Sequence, residues 1–221
     1  MKNLIKIVGL GAGGHAKVVL DIVRQHEAEF ELVGLLDPVV TKHGREWNGA
    51  KILGSDALLP ELVRDGVTGF FVGLGSAGDV HTRRKVFEAG IQAGLTPVNL
   101  VHTAASLASS VELGRGVCVM AGALINAEAR LGDNVCINTG AIVEHECVVA
   151  AHGYVAPGAV LAGGVRVGEQ AFIGLRSAIK QGLQIGPRAV VGAGAVVLDH
   201  VPADTIVVGM PAKILSRHDQ P

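Results

Sequence analysis

Between Leu107 and Val197 an aliphatic residue stands at every sixth position without exception: Leu107, Leu113, Val119, Ile125, Leu131, Ile137, Val143, Val149, Val155, Leu161, Val167, Ile173, Ile179, Ile185, Val191 and Val197. Helices repeat near 3.6 residues and half-buried strands at two, so a period of six belongs to neither. It marks a parallel β-helix built of hexapeptide repeats. The positions four places on, from Val111 through Ala123, Ala141 and Ala159 to Val201, are nearly all small or β-branched. One aliphatic and one small inward residue per six describe a narrow prism with three flat faces and about 18 residues to the coil. So tight an interior explains why only 3% of the chain is aromatic. The many glycines, 31 in all, suit corners where φ turns positive. An ordinary β-sandwich would alternate with a period of two between irregular turns, which this stretch does not do.

Residues 1–102 have another texture. A buried strand over Ile5–Gly9 leads through a glycine turn into a helix over Gly14–Gln25, with Val18, Val19, Ile22 and Val23 inward. A second strand, Glu31–Leu36, ends at Asp37-Pro38; Asp56–Asp65 reads as a short helix, Gly69–Gly75 as a third strand and Asp79–Ala93 as another helix. Val98–His102 is a last strand running straight into the repeat. Strands alternating with helices predict a small parallel α/β sheet. The expected organisation is a Rossmann-like α/β domain over 1–102 and a β-helix domain over 103–221, with Pro202 breaking the register and Gly209–Lys213 capping the prism. At 221 residues the chain has ample material for a core.

Composition excludes several function classes. Net charge is −1 with no basic run, so there is no electrostatic footprint for nucleic acid. The three cysteines, Cys118, Cys136 and Cys147, form no CxxC and fall inside the repeat as small apolar fillers, which fits a reducing cytosol. The opening MKNLIKIVGLGAGG reads as a strand rather than a signal peptide, because its apolar run is short and lacks a small-residue cleavage pattern. No stretch approaches transmembrane length, so a cytoplasmic protein without membrane contact is expected.

Two constellations can carry chemistry. Gly9-Leu-Gly11-Ala-Gly13-Gly14-His15 satisfies G-x-G-x-x-G between a strand and a helix, with Asp37 closing the second strand. Glycines let backbone N–H groups approach a phosphate, and the helix N-terminus favours its charge. Roughly 100 residues are too few for two mononucleotide-binding halves, so a dinucleotide is disfavoured. A nucleotide of another kind and a purely structural turn both remain. His15 is placed to donate to a phosphate or sugar hydroxyl, or simply sits at the turn. The second constellation is Glu144-His145-Glu146, preceded by Asn138. His145 lies two places after the inward Val143, so its side chain points out of the prism. An imidazole suits general-base work near neutrality, and an adjacent carboxylate holds its tautomer. The alternative is a solvated charged corner. A zinc site between β-helices takes three histidines, two of them five apart; His145 and His152 are seven apart with no suitable third, so no metal is expected. His26, His43, His200 and His218 read as solvated surface, and His81, near Arg83 and Arg84, as exposed or close to a ligand.

Taken together, GAGGHAKVV at the first turn, LLD after the second strand, VNLVH before the repeat, INTGAIVEHECVV within it and VVGAGAVV with GMPAK at its end resemble bacterial sugar acyltransferases of the left-handed β-helix class. The nearest group is the nucleotide-linked aminosugar N-acetyltransferases, with sialic-acid O-acetyltransferases as relatives. Handedness comes from this resemblance alone, since parallel crossovers are ordinarily right-handed. The resemblance implies His145 as general base, Glu146 as the neighbour raising its basicity and Asn138 as a nearby active-site residue. It implies a pocket for the nucleotide-linked sugar at Gly13, Gly14 and His15, with Asp37 and the Gly75-Ser76 turn. Leu175, Ala193 and Gly163 fall where relatives line the acetyl-CoA channel between adjacent β-helices. Tyr154 stands where relatives often carry a second histidine near the acetyl group, so its hydroxyl is left to serve the thioester region, with His152 displaced by two.

The implied protein is a cytoplasmic homotrimer that takes acetyl-CoA and a UDP- or GDP-linked 4-amino-4,6-dideoxy sugar, for surface glycan synthesis, with no metal. A backbone N–H would stabilise the oxyanion in direct acetyl transfer. Two rivals stand beside it: O-acetylation of a sialic-acid-type sugar, and a non-catalytic nucleotide-sugar-binding protein.

Overall fold

A computed structural model of the chain describes residues 4–76 and 80–217. Two compact units emerge, one running to Gly75 and resuming over Thr82–Leu100, the other from Val101 onward together with Ser76 and His81. Asp79, expected to open a helix, and His218, expected at the surface, lie outside the described residues.

The first unit contains β1 (Ile5–Leu10), α1 (Gly14–Gln25), β2 (Phe30–Leu36), β3 (Glu46–Trp47), β4 (Ala50–Gly54), α2 (Leu59–Arg64), β5 (Gly69–Val72), α3 (His81–Gln92) and β6 (Thr96–Pro97). They form one sheet in the order β3-β4-β2-β1-β5-β6. Every pairing is parallel except the β3–β4 hairpin. That hairpin departs from the sequence reading. Its two-residue turn, Asn48-Gly49, takes φ of 46° and 77°, the conformation that matches strand twist and favours Asn-Gly.

In α1 the residues Ala16, Val19, Leu20 and Val23 form an i, i+3, i+4, i+7 stripe, joined by Ile22. Val18, expected to be inward, lies off that stripe and is 40% exposed. Over Asp56–Asp65 the chain makes a 3-10 turn, Asp56–Leu58, before the short α2 with Pro60 in its first turn. β5 ends at Val72, short of the expected Gly75, and the next residue, Gly73, lies against the Gly11 carbonyl, where a Cβ would come to 2.4 Å. Val8, Leu10, Leu36, Leu62 and Phe70 centre the core, with the Phe70 and Phe87 rings 5.7 Å apart.

The second unit is the prism. Two-residue strands stack into three parallel sheets, each strand pairing with the one 18 residues on, as in Cys118↔Cys136, Leu124↔Ile142 and Arg130↔Val148. The first face carries Cys118–Val119, Cys136–Ile137, Tyr154–Val155, Phe172–Ile173 and Val190–Val191; the second runs from Ser106–Leu107 to Val196–Val197; the third from Glu112–Leu113 to Gln184–Ile185. The second residue of each pair points inward: from Val119 to Val197 all of these are buried, while Leu107 and Leu113 at the first coil are partly covered.

From residue 116 to 194 every sixth residue is a corner with positive φ, and half of these fourteen are not glycine: Glu128, Asn134, Glu146, His152, Gln170, Arg176 and Arg188. Glycine thus fills half of the corners, as its freedom allows, and other residues fill the rest. A left-handed residue is tolerated wherever the stacked coils hold the turn on both sides. The register breaks at Pro202: Val190 pairs with Ile206, although Val201 still bridges Ile185. Thr205–Val208 then receives the antiparallel strand Lys213–Arg217, which covers the edge of the last coil.

Candidate active site

The residues singled out above fall into three clusters. The first surrounds the glycine turn after β1. Gly9 and Gly11 serve the fold, since a Cβ at either would run into core side chains within 2.5 Å. Gly13 and Gly14 are different: a Cβ at either meets nothing within 4 Å, and neither φ is positive. Packing does not demand glycine at either position, and the backbone there is open to approach. The turn caps α1 with no side-chain hydrogen bond and no acidic residue in its first turn, leaving the orphan N–H groups complementary to an anion. Gly75 packs on the His15 ring, where a Cβ would lie 3.2 Å from the His15 Cβ. Burial lowers the His15 pKa to about 3, with the charge of Arg83 adding to it. His15 is thus a neutral imidazole offering one N–H donor.

Asp37 is consumed inside this cluster. Its Oδ2 accepts from the Ala12 N–H at 3.0 Å and from Lys42 at 3.0 Å, and its Oδ1 accepts from the Val39 N–H at 3.0 Å. The residue is 5% exposed, so it braces the glycine turn from beneath. His43, expected on the surface, is half-buried, its Nε2 2.8 Å from the Asp37 carbonyl oxygen. Lys42 and Trp47 escaped the sequence reading. Lys42 Nζ also donates to the Ala12 carbonyl at 3.2 Å, and Trp47 Nε1 donates to the Gly13 carbonyl at 3.1 Å. The indole carries Lys17 Nζ at 4.8 Å and Lys42 Nζ at 5.7 Å over its ring. Two ammonium groups therefore stand beside an uncapped helix N-terminus. Trp47 is the only tryptophan and follows from the Asn48-Gly49 hairpin signal.

The second cluster is the corner between the second and third faces. His145 Nδ1 lies 2.9 Å from Glu146 Oε2, and the side chains are 59% and 64% exposed. A carboxylate only accepts, so Nδ1 donates in this contact, and the neutral tautomer it favours carries its lone pair on Nε2. One coil on, the imidazole edge lies over Gly163.

The third cluster is a cavity of about 500 Å³ where the first face turns into the second. Asn138, Tyr154, Leu175, Ala193 and Ser76 line it, with Phe172 and Pro157. Asn138 and Tyr154 are buried, with Asn138 Nδ2 donating to the Tyr154 hydroxyl at 2.7 Å and its Oδ1 accepting from the Thr139 N–H at 2.9 Å. Tyr154 stacks on Phe172 with 5.5 Å between ring centroids. His152 turns away, its Nδ1 3.0 Å from Asn134 Nδ2 at the same corner of the preceding coil.

Within one chain, then, Asn138 does not join His145 and Glu146; the whole second face separates them. The residues assigned to acetyl-CoA also divide, Gly163 beneath His145 and the other three in the cavity. Gly75 and Ser76, neighbours in sequence, belong to different units. Among the described residues no group of three or more His, Cys, Asp or Glu side chains is arranged to hold a metal ion.

A Rossmann-like unit joined to hexapeptide coils that present an exposed imidazole–carboxylate pair defines a left-handed β-helix acyltransferase. The PglD N-terminal domain model matches residues 6–89, and the hexapeptide repeat of succinyl-transferase matches residues 164–199. PerB from Caulobacter crescentus, solved with CoA and GDP-perosamine, is 39% identical with a TM-score of 0.86, over 96% of this chain and 97% of that one. The acetyltransferase domain of PglB from Neisseria gonorrhoeae, solved with acetyl coenzyme A, is 33% identical with a TM-score of 0.88, over 96% and 100%. WeeI from Acinetobacter baumannii is 27% identical with a TM-score of 0.75, over 95% and 100%. No curated protein matches in sequence. The chain belongs to the acetyl-CoA-dependent N-acetyltransferases that act on nucleotide-linked aminosugars. No helix among the described residues is long and apolar enough to cross a membrane.

Proposed function

We propose that this chain acetylates the amino group of a 4-amino-4,6-dideoxy sugar carried on GDP or UDP, as a cytoplasmic homotrimer serving surface glycan synthesis. The observation that carries this reading is the exposed His145–Glu146 pair at one edge of the second face, with the Asn138–Tyr154 cavity at the other edge. Between them the outward residues Leu124, Ile142, Val160, Ala178 and Val196 make an apolar strip, Leu124 being 43% exposed. The third face instead turns Glu112, Arg130, Arg166 and Gln184 outward, with Val148 its one apolar outward residue. An apolar face flanked by two half-sites fits three copies packed around an axis, each contributing one edge to a shared groove. The GDP-perosamine bound by the Caulobacter crescentus relative favours a GDP-linked acceptor.

The glycine turn holds the diphosphate on the N–H groups of α1, with Lys17 and Lys42 beside it and His15 donating as a neutral imidazole. The acceptor nitrogen attacks the thioester carbonyl of acetyl-CoA while His145 Nε2 takes the proton that nitrogen loses. Glu146 steadies the imidazolium so formed. The proton then passes to the departing thiolate. Tyr154, Leu175 and Ala193 wall the side of the groove that receives acetyl-CoA. Thiol release from acetyl-CoA, measured against GDP-, UDP- and dTDP-linked 4-aminosugars and free sialic acid, tests the reading. Release with a GDP- or UDP-linked 4-aminosugar is expected. Release only with sialic acid would make the chain an O-acetyltransferase, and none with any acceptor would leave a binding protein. Sedimentation should give three chains, and an active monomer would remove the shared groove.

A further inference from the structure

His145 stands on the prism surface, 59% exposed, and what keeps an exposed imidazole in a single orientation is a physical question. Glu146 holds Nδ1 from one side. On the other side the ring lies over the next coil: an ideal Cβ on Gly163 would come within 2.6 Å of both Cε1 and Nε2 of His145, and 3.3 Å of Cδ2. These three ring atoms are the nearest that such a Cβ meets. Among the coil glycines, Gly158 shares this character only weakly, since a Cβ there would meet the Arg176 side chain at 3.2 Å. At Gly132, Gly168 and Gly186 a Cβ would collide with the backbone of the following coil, at 2.7, 2.5 and 2.3 Å, so those glycines serve the stacking.

The backbone does not ask for glycine at 163. Its φ is not positive; that conformation belongs to Gly164 next to it, with φ of 68°. The equivalent positions one coil either side of His145 and Gly163, Ala127 and Gln181, carry side chains without difficulty. The Gly164 N–H donates to the His145 carbonyl at 2.8 Å, which fixes the backbones of the two coils against each other. The nearest atoms that a β-carbon at 163 would displace are those of the His145 ring.

We propose that Gly163 is a positioning residue for acetyl transfer. Its bare Cα is the seat on which the Nε2 edge of His145 rests, and together with Glu146 it sets the direction of the basic lone pair. This rests on the reading of His145 as the general base. Any β-carbon at 163 turns the ring out of that seat toward solvent, at little cost to the fold, because the atoms it strikes are the mobile end of a side chain.

The test is Gly163→Ala in two backgrounds. In the wild-type enzyme kcat should fall roughly tenfold or more, within the range spanned by losing a general base, while both KM values and the oligomeric state hold. In His145→Ala the same change should move the residual kcat by less than about twofold, since two residues acting through one contact are not additive. A crystal structure of Gly163→Ala should show the imidazole displaced. Equal losses in the two backgrounds would overturn the proposal, as would a raised KM for acetyl-CoA with intact kcat, which would make Gly163 only a channel wall. An imidazole still in place in Gly163→Ala would overturn it directly. If His145→Ala retains near-normal kcat, the base assignment falls, and with it the catalytic role of Gly163. The displaced or undisplaced ring in the Gly163→Ala structure would still separate that failure from an error in the seat itself.

Discussion

His145 and Glu146 are consecutive in the chain, yet the Nδ1 of one lies 2.9 Å from the Oε2 of the other. Neighbouring side chains on a strand point to opposite sides. Here Glu146 is a corner residue with φ of 60°, and the turn brings its carboxylate back beside the ring. Both side chains are exposed, so the pairing adds little to stability and its value lies in orientation.

His145→Ala should therefore lower kcat by about 10²–10⁴ with both KM values and the assembly preserved. Glu146→Ala should cost less, because it removes orientation and leaves the base. Steady-state kinetics on the two variants checks the order, and a larger loss from Glu146 would assign the proton transfer to the carboxylate.

Gly13→Val and Gly14→Val should leave the thermal midpoint nearly unchanged, since a Cβ at either meets nothing within 4 Å. Acceptor KM should rise strongly as the side chain fills the space above the α1 N-terminus, with acetyl-CoA binding unaffected. Calorimetric titration of each substrate separates the two. Loss of acetyl-CoA binding instead would exchange the ligands between the two units.

Trp47→Phe keeps a ring for the two lysines and removes the N–H that donates to the Gly13 carbonyl at 3.1 Å. Urea denaturation should show a loss of about 1 kcal/mol, the ordinary worth of one such bond. Acceptor KM should rise several-fold while kcat holds. An unchanged KM would confine Trp47 to the scaffold.

The His15 ring, at about 3 against an ordinary 6.5, makes stability depend on pH in one window. Between those values the unfolded chain binds a proton that the folded chain refuses. Stability is therefore complete above pH 6.5 and drains away on acidification, by up to about 1.4 kcal/mol per unit from this group. The urea midpoint followed from pH 7 to pH 4 should fall, and His15→Gln should flatten that dependence. A slope unaffected by the substitution would place the acid sensitivity elsewhere.

The prism was legible before any coordinates because its interior takes one residue type at a fixed count, from Val119 to Val197 without interruption. Counting from Val143 also put His145 outward. The same count assigns Asn138, directly after the inward Ile137, to the preceding corner, so its separation from His145 was implicit in the numbering. Handedness was not, since nothing in a hexapeptide encodes the sense in which successive faces wind. The braces around Asp37 were hidden for another reason: Ala12, Lys42 and Trp47 meet through the sheet order, which no periodicity reports. The hairpin that carries Trp47 was passed over, although Asn48-Gly49 is a signal for it. Glycine marked only half of the corners; Glu128, Gln170 and Arg176 take the same left-handed turn with nothing in their residue type to announce it.

Strands that bond to partners 18 residues away give this chain a natural unit of duplication. Gain or loss of a whole coil leaves every other pairing intact, whereas gain of a single hexapeptide rotates all that follows by one face. A residue that stood on one edge of the prism would then stand on the next. Length variation in the ancestry of such a chain is therefore quantised, and a coil inserted ahead of Ile142 would raise His145 along the axis without moving it off its edge.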